Sequence, residues 1–238
     1  MRRPTVADQL GPFEVFAGRE LSIGRPLVAR LIGRRFDTLL DDAGYEKPYD
    51  PRFGKAMVKT LSYLCATLGA SFGYVERTEL SLYAVSGGGD ARRLLSRIAG
   101  EAAAKLSLLV GQVLTFEARL YEFPDHDLAL EYFRWRQEDA HVHAIDRYCT
   151  HVLGLSGADA TAVPRILDGL GPDEKVELLR QNALEFATVP AWQRLGAVVR
   201  VRPAEGSNGA VTQGRLLVDL NLPGEDEFGD YLKRALQQ

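Results

Sequence analysis

The amino-acid sequence predicts an α/β (α+β) fold in which an antiparallel sheet is flanked by helices. Apolar residues recur at every third or fourth position across residues 53–68, which is the period of an amphipathic helix, and Gly69 ends it. Residues 72–85 instead alternate apolar and polar side chains, as the two strands of a hairpin do. Long helix-like segments follow at residues 91–109 and 127–155. A hairpin combined with long helices indicates a mixed fold.

Length and composition indicate one compact domain with an appendage. The chain has 238 residues, of which 46% are hydrophobic and 26% are charged, so it can bury a sizeable core. The formal net charge is -3, so any RNA binding must rely on local basic patches. No segment approaches the roughly 20 apolar residues of a membrane span, and the N-terminus lacks a signal-like apolar core. We therefore expect a cytoplasmic protein.

The cysteine and histidine patterns predict no metal centre. Cys65 and Cys149 each lie in an apolar, helix-like segment, and two such residues make neither a disulfide framework nor a zinc site. His141 and His143 are two positions apart in a predicted helix, so their side chains point in different directions and do not share one ion unaided.

The first predicted strand, residues 27–31, leads into a turn suited to phosphate binding. Gly33 allows close approach to the backbone, and Arg34 and Arg35 follow it directly. Guanidinium groups match the geometry of phosphate oxygens, so these two side chains are candidates to bind a triphosphate. The alternative is a pair of solvated surface arginines. A short helix at residues 36–43 comes next.

The remaining elements follow from turn residues and periodicity. A glycine-rich stretch at residues 87–90 lacks the lysine and spacing of a phosphate-binding loop, which leaves a flexible turn. The other predicted segments are an entry segment at 6–16, a loop at 45–50, a strand at 113–123, short helices at 157–171, a helix at 172–186, strands at 198–201 and 216–222 joined by a loop at 204–214, and a final helix at 225–236.

Short segments along the whole chain resemble, in order and spacing, the tRNA(His) guanylyltransferase family. They are residues 30–36, 46–50, 78–81, 116–119 and 132–139. The resemblance implies a polymerase-like palm in residues 1–125. It also implies a helical region with C-terminal strands in residues 126–238, packed as one unit with the palm.

Members of that family add a GTP-derived nucleotide to an RNA 5′ end by a two-metal mechanism. The resemblance places the two Mg²⁺-binding aspartates at Ile32 and Thr78, and the glycine carbonyl ligand at Gly33. Isoleucine offers no oxygen ligand and threonine only a neutral hydroxyl, so metal binding is in doubt. Glu79 retains an acidic position, and Glu76, expected on the same strand face as Thr78, is a candidate replacement ligand. The alternative is that Glu76 is an exposed strand glutamate.

The same resemblance implies contacts to a nucleotide, GTP or ATP, and to tRNA or another RNA. The candidate nucleotide-binding residues are Gly33, Arg34, Arg35, Phe36, Lys47 and Asp50. The candidate RNA-binding residues on the longest helix are Arg134, Arg136, Gln137 and His141. Asp37 stands where the family often has histidine, and it adds negative charge near the expected triphosphate.

Three functions are compatible with these features. The preferred interpretation is a homologue that retains RNA or nucleotide binding but is impaired or inactive in transfer, because both metal aspartates are lost. One alternative is an active nucleotidyltransferase with rearranged metal ligands. The other is a non-catalytic scaffold or partner subunit, and the resemblance makes a homo-oligomer possible in each case.

Overall fold

The computed structural model describes residues 18–204 and 212–236, so the predicted entry segment at 6–16 lies outside the described residues. The strands are β1 (Glu20–Leu21), β2 (Pro26–Gly33), β3 (Phe72–Glu76), β4 (Glu79–Val85), β5 (Gly89–Asp90), β6 (Phe116–Glu122), β7 (Ala197–Ala204) and β8 (Thr212–Asp219). The α-helices are α1 (Phe36–Asp42), α2 (Pro51–Leu68), α3 (Ala91–Val110), α4 (His126–Leu155), α5 (Val163–Asp168), α6 (Pro172–Gln181), α7 (Ala191–Arg194) and α8 (Glu225–Leu236), with a 3₁₀ turn at Phe186–Thr188.

One six-stranded antiparallel sheet organises the molecule, in the order β6-β2-β4-β3-β7-β8. Strands β1 and β5 form a separate two-stranded pair. Because β7 pairs with β3, the strands near the C-terminus extend the sheet built by the first half of the chain. The predicted mixed α/β fold, with an antiparallel sheet and flanking helices, is confirmed.

Helices cover the two faces of the sheet with separate apolar cores. Helices α2 and α3 pack on one face, where Leu31, Leu80 and Leu106 are fully buried. On the other face, Phe133 of α4 and Phe228 of α8 pack in a second core. Alternation along a strand sends successive side chains to opposite faces, so the central strands β2, β4, β3 and β7 contribute to both cores. A third cluster joins the C-terminal half of α4 to α5, α6 and the 3₁₀ turn.

Capping residues explain where the long helices begin and end. The side chain of Asp50 accepts a hydrogen bond from the backbone nitrogen of Arg52 at the start of α2, and Asp125 accepts one from Leu128 at the start of α4. Gly69 has a φ of 70° just beyond α2, a left-handed conformation that glycine adopts without steric cost.

Several predicted boundaries were wrong. The predicted flexible turn at 87–90 includes β5, because the backbone of Gly89 and Asp90 pairs with β1. The loop at 204–214 is shorter than predicted, since β7 runs to Ala204 and β8 begins at Thr212. The helix predicted at 172–186 ends at Gln181, and Ala183 then adopts a φ of 59°. No helix in the described part of the chain is long and apolar enough to cross a membrane.

Candidate functional site

The candidate site lies where β2 ends beside the β3–β4 turn. The backbone nitrogen of Gly33 donates to the carbonyl oxygen of Thr78 at 3.0 Å. Ile32 lies directly opposite Glu79 on β4 and Glu117 on β6, so these three side chains share one face of the sheet. The segments predicted to form the site, residues 30–36 and 78–81, are therefore adjacent in the fold.

Thr78 occupies the turn of the hairpin and not a strand. Glu76 and Glu79 are the last paired residues of β3 and β4 and lie directly opposite each other. The expectation that Glu76 and Thr78 lie on one strand face by alternation was therefore wrong, because alternation ends where the turn begins.

Glu76 is buried, which also contradicts the prediction of an exposed strand glutamate. Only 4% of its surface is accessible. Its Oε1 accepts a hydrogen bond from Arg147 Nη1 at 2.5 Å, and its Oε2 lies 3.9 Å from Arg136 Nη2. Two guanidinium groups thus compensate its charge inside the protein.

Glu79 is held in the same way. Arg30 Nη2 and Arg136 Nη2 lie 2.8 Å and 3.0 Å from its Oε2. Arg136 also donates to Asp139 at 2.5 Å from within the same helix, and its side chain is 1% exposed. We call these six residues the arginine cluster: Arg30, Arg136, Arg147, Glu76, Glu79 and Asp139. Its three cations and three anions balance.

Arg147 is the member that the sequence analysis missed. It lies on the same face of α4 as Arg136, because Arg136, Asp139, His143 and Arg147 are spaced three, four and four positions apart. That polar stripe at three- and four-residue spacing was the available signal.

Tyr49 connects the loop before α2 to the arginine cluster. Its hydroxyl accepts a hydrogen bond from Arg147 at 3.0 Å. Burial raises the pKa of Tyr49 to about 12 despite the neighbouring guanidinium. Burial alone would lower the pKa of Arg147, but Glu76 and Tyr49 together hold it above its ordinary value. Both groups therefore keep their protons at neutral pH.

The side chains at this site do not fit Mg²⁺. Magnesium requires oxygen ligands at short range, usually from one or two carboxylates, and Ile32 supplies none. The neighbouring carboxylates, Glu76, Glu79 and Glu117, already pair with arginines. Among residues 18–204 and 212–236, no group of three or more histidine, cysteine, aspartate or glutamate side chains is arranged to hold a metal ion.

The candidate nucleotide-binding residues at the end of β2 have different environments. Arg34 and Arg35 are exposed, and neither side chain has an ion-pair partner within the described residues. Arg35 has a φ of 56° just before α1. Phe36 is buried against Phe53 and Phe116. A side chain at Gly33 would collide with the ring of Phe36, so packing alone accounts for this glycine.

The loop at residues 45–50 holds Lys47 and Asp50 in contacts within the protein. Lys47 Nζ lies 2.9 Å from Asp41 Oδ2 on the surface. Asp50 is buried and accepts hydrogen bonds from Arg52 and from the backbone of Glu46, which lower its pKa well below its usual range. The cleft beside this loop measures about 30 Å³, and Lys47, Asp50 and Arg77 are among its lining residues.

The four candidate RNA-binding residues do not form one surface. The side chains of Arg136 and Gln137 are buried, and Gln137 donates to the carbonyl oxygen of Pro223 at 3.1 Å. Arg134 is partly exposed and pairs with Glu131 at 3.2 Å. The ring of His141 packs against Phe186, and burial, followed by the charge of Arg194, lowers its pKa. Of the four side chains, those of Arg134 and His141 are partly exposed, and those of Arg136 and Gln137 are buried.

Asp37, the acidic residue near the expected triphosphate, is bound to Arg77 from the β3–β4 turn. This ion pair partly offsets the negative charge beside Arg34 and Arg35. Because the Asp37 side chain is 74% exposed, solvent screens the pair strongly.

Comparisons with known proteins identify relatives along the whole chain. A family model described as tRNAHis guanylyltransferase matches residues 9–127, half of the chain. An uncharacterized protein of Acanthamoeba polyphaga mimivirus is 22% identical over 95% of this chain and 88% of its own length. The tRNA(His) guanylyltransferase 1 of Arabidopsis thaliana is 27% identical over 81% of this chain, which spans only 37% of the plant protein.

Solved structures with the same fold include two bacterial tRNA(His) guanylyltransferase-like proteins. The one in complex with GTP has a TM-score of 0.74 and 20% identity, covering 98% of this chain and 99% of its own. The one in complex with ATP has a TM-score of 0.73 and 22% identity, covering 98% and 100%. The enzyme from Saccharomyces cerevisiae has a TM-score of 0.69 and 18% identity, covering 76% and 87%. The family match and the named relatives support a tRNA(His) guanylyltransferase-like function.

Proposed function

This chain belongs to the tRNA(His) guanylyltransferase family, and we propose that it binds a nucleoside triphosphate and RNA but is impaired or inactive in metal-dependent nucleotidyl transfer. The proposal separates two properties. Binding needs exposed cationic groups and an accessible surface. Transfer by a two-metal mechanism needs carboxylates that hold the ions against both reacting oxygens.

The observation that carries the proposal is the arginine cluster. Three acidic side chains stand at the site, Glu76, Glu79 and Glu117, and each pairs with an arginine. A guanidinium at 2.5–3.0 Å already compensates the charge of each carboxylate, and its own positive charge repels a metal ion. The family resemblance places the two metal-binding aspartates at Ile32 and Thr78, and neither side chain is a carboxylate. We therefore expect weak metal binding at this site.

Arg34 and Arg35 support retained binding of a triphosphate. They are exposed, and they lie beside the turn that carries Thr78. Arginine binds phosphate oxygens through paired hydrogen bonds, and it does so without a metal ion. The bacterial relatives in complex with GTP and ATP make these two nucleotides the first to test here.

The alternative of an active enzyme with rearranged ligands has a specific structural requirement. Glu76 would have to release Arg147 and Arg136 before it could hold an ion, and both guanidinium groups would then lose a buried partner. Breaking a buried ion pair costs about 3–5 kcal/mol. The scaffold alternative requires only the fold and predicts no response to nucleotide or RNA.

The deciding experiment is 5′-end addition to a tRNA transcript that lacks its 5′ nucleotide, with labelled GTP or ATP and Mg²⁺. We expect no extension by the natural chain and a gain of extension by the double variant Ile32→Asp/Thr78→Asp. The control variant, Ile23→Asp, adds an acid at an exposed position away from the site. Extension by the natural chain would contradict the proposal and favour rearranged ligands.

A further inference from the structure

We propose that Trp135 is a stacking site for an unpaired base of single-stranded RNA, at an open part of the sheet beside the arginine cluster. The inference rests on the proposed RNA binding and adds to it a binding residue, a place on the surface and a class of ligand. It concerns base stacking, which the arginines alone do not provide.

Trp135 presents a polarised aromatic surface to solvent. It lies on α4, and 43% of its surface is exposed. The guanidinium carbons of Arg30 and Arg136 lie 5.1 Å and 5.3 Å from the ring centroid, within the range of a cation–π interaction. Tyr132 contacts the ring edge to face at a centroid distance of 5.7 Å. These contacts fix the indole in place, so stacking on it orders little additional side-chain motion.

The sheet beside Trp135 is open. Helix α4 lies over β2, and the adjacent edge strand β6 keeps Glu117 and Arg119 about half exposed, at 52% and 54% of their side-chain surface. Arg119 is directly opposite Arg30, so it lies on the same face of the sheet as the tryptophan. The result is a shallow surface with an aromatic wall and a polar floor in which each arginine is paired with a carboxylate.

This chemistry fits RNA better than an apolar partner. Exposed aromatic rings with neighbouring arginines bind single strands, because the rings stack bases and the guanidinium groups attract phosphates. The candidate triphosphate site is close by, since Arg30, which contacts Trp135, precedes Arg34 by four residues, roughly 13 Å along an extended strand. A strand with its 5′ end near Arg34 and Arg35 therefore has Trp135 within reach.

Tryptophan fluorescence tests the contact directly. The chain has two tryptophans, so the variant Trp192→Phe leaves Trp135 as the sole reporter. The probes are a hexa-adenylate RNA and an abasic RNA hexamer, which carry the same number of phosphates but differ in whether they can stack. We expect the hexa-adenylate to quench the emission of Trp135 and the abasic hexamer to leave it largely unchanged.

An affinity series provides the second readout. We expect Trp135→Ala to weaken hexa-adenylate binding about fivefold to a hundredfold, the range expected for the loss of one base–aromatic stack. The affinity of Trp135→Phe should lie between those of the unmodified chain and Trp135→Ala. The matched control is Val142→Ala, which truncates another apolar side chain of α4 that is 50% exposed. Its affinity should equal that of the unmodified chain.

The outcomes separate this inference from the proposed function. If the unmodified chain binds hexa-adenylate, but Trp135 is not quenched and Trp135→Ala binds equally well, the stacking site is refuted and RNA binding stands. If the unmodified chain binds no RNA, the proposed RNA binding fails and the stacking site with it. Emission that shifts to the blue with protein concentration, without RNA, would show that a second copy covers Trp135 and would also refute the inference.

Discussion

Glu76 at the β3–β4 turn carries a buried negative charge that two arginines compensate. The carboxylate is almost entirely buried, so its charge must be compensated locally. Arg147 provides this compensation at 2.5 Å and Arg136 adds a second cation at 3.9 Å. In a metal site the compensating charge would come from the ion. Here it comes from the protein itself and is present whether or not a ligand binds.

Removing one partner of this pair should destabilise the fold. We expect Arg147→Met to lower the free energy of unfolding by about 3 kcal/mol, because Glu76 is left buried with only the more distant Arg136. The double variant Arg147→Met/Glu76→Gln should recover part of that loss. Chemical denaturation measures both.

The control for this prediction is the exposed pair of Arg180 and Glu177. Arg180→Met should change stability by less than about 1 kcal/mol, since solvent screens an exposed ion pair. Equal losses at the two sites would show that the buried pair has no special role.

Asp50, which was predicted to bind the nucleotide, has a structural role at the start of helix α2. Asp50 caps the helix, accepts from the backbone of Glu46 and binds Arg52 at 2.6 Å. These contacts use both carboxylate oxygens. The resemblance assigned Asp50 to the nucleotide, while its contacts assign it to the start of α2.

We expect Asp50→Ala to cost about 1–2 kcal/mol of stability through loss of the cap. Asp50→Asn should cost less, because asparagine also caps helices, and it should leave GTP affinity unchanged. Thermal unfolding and a GTP titration of the two variants measure these effects. A large loss of affinity in the stably folded asparagine variant would return Asp50 to the nucleotide site.

Across the whole molecule, patterns within short segments were predictable and charge compensation between distant segments was not. The periodicity of residues 53–68 and the alternation at 72–85 correspond to α2 and the β3–β4 hairpin. The burial of Glu76 depends on Arg147, which is 71 residues away in the chain, so no local pattern reports it. The short strands β1 and β5 were also missed, because two residues carry no detectable alternation.

The predicted palm region at residues 1–125 and the predicted helical region at residues 126–238 are joined by strand pairing between distant parts of the chain. The sheet combines strands from both halves of the chain, and α4 supplies Arg136 and Arg147 to a turn built by β3 and β4. The candidate site is thus assembled between a hairpin and a helix that begins about forty residues after it. Substitutions in either segment should affect the same site.

The most direct test of the central claim is a calorimetric titration with GTP, once in Mg²⁺ and once in excess EDTA. We predict equal or tighter binding in EDTA, because Mg²⁺ neutralises part of the triphosphate charge that the arginines bind. Binding should be lost in Arg34→Ala/Arg35→Ala and retained in Arg165→Ala/Arg234→Ala, which removes the same charge from exposed positions elsewhere. Affinity that disappears in EDTA and returns with Mg²⁺ would contradict the account, because the site would then hold a metal ion after all.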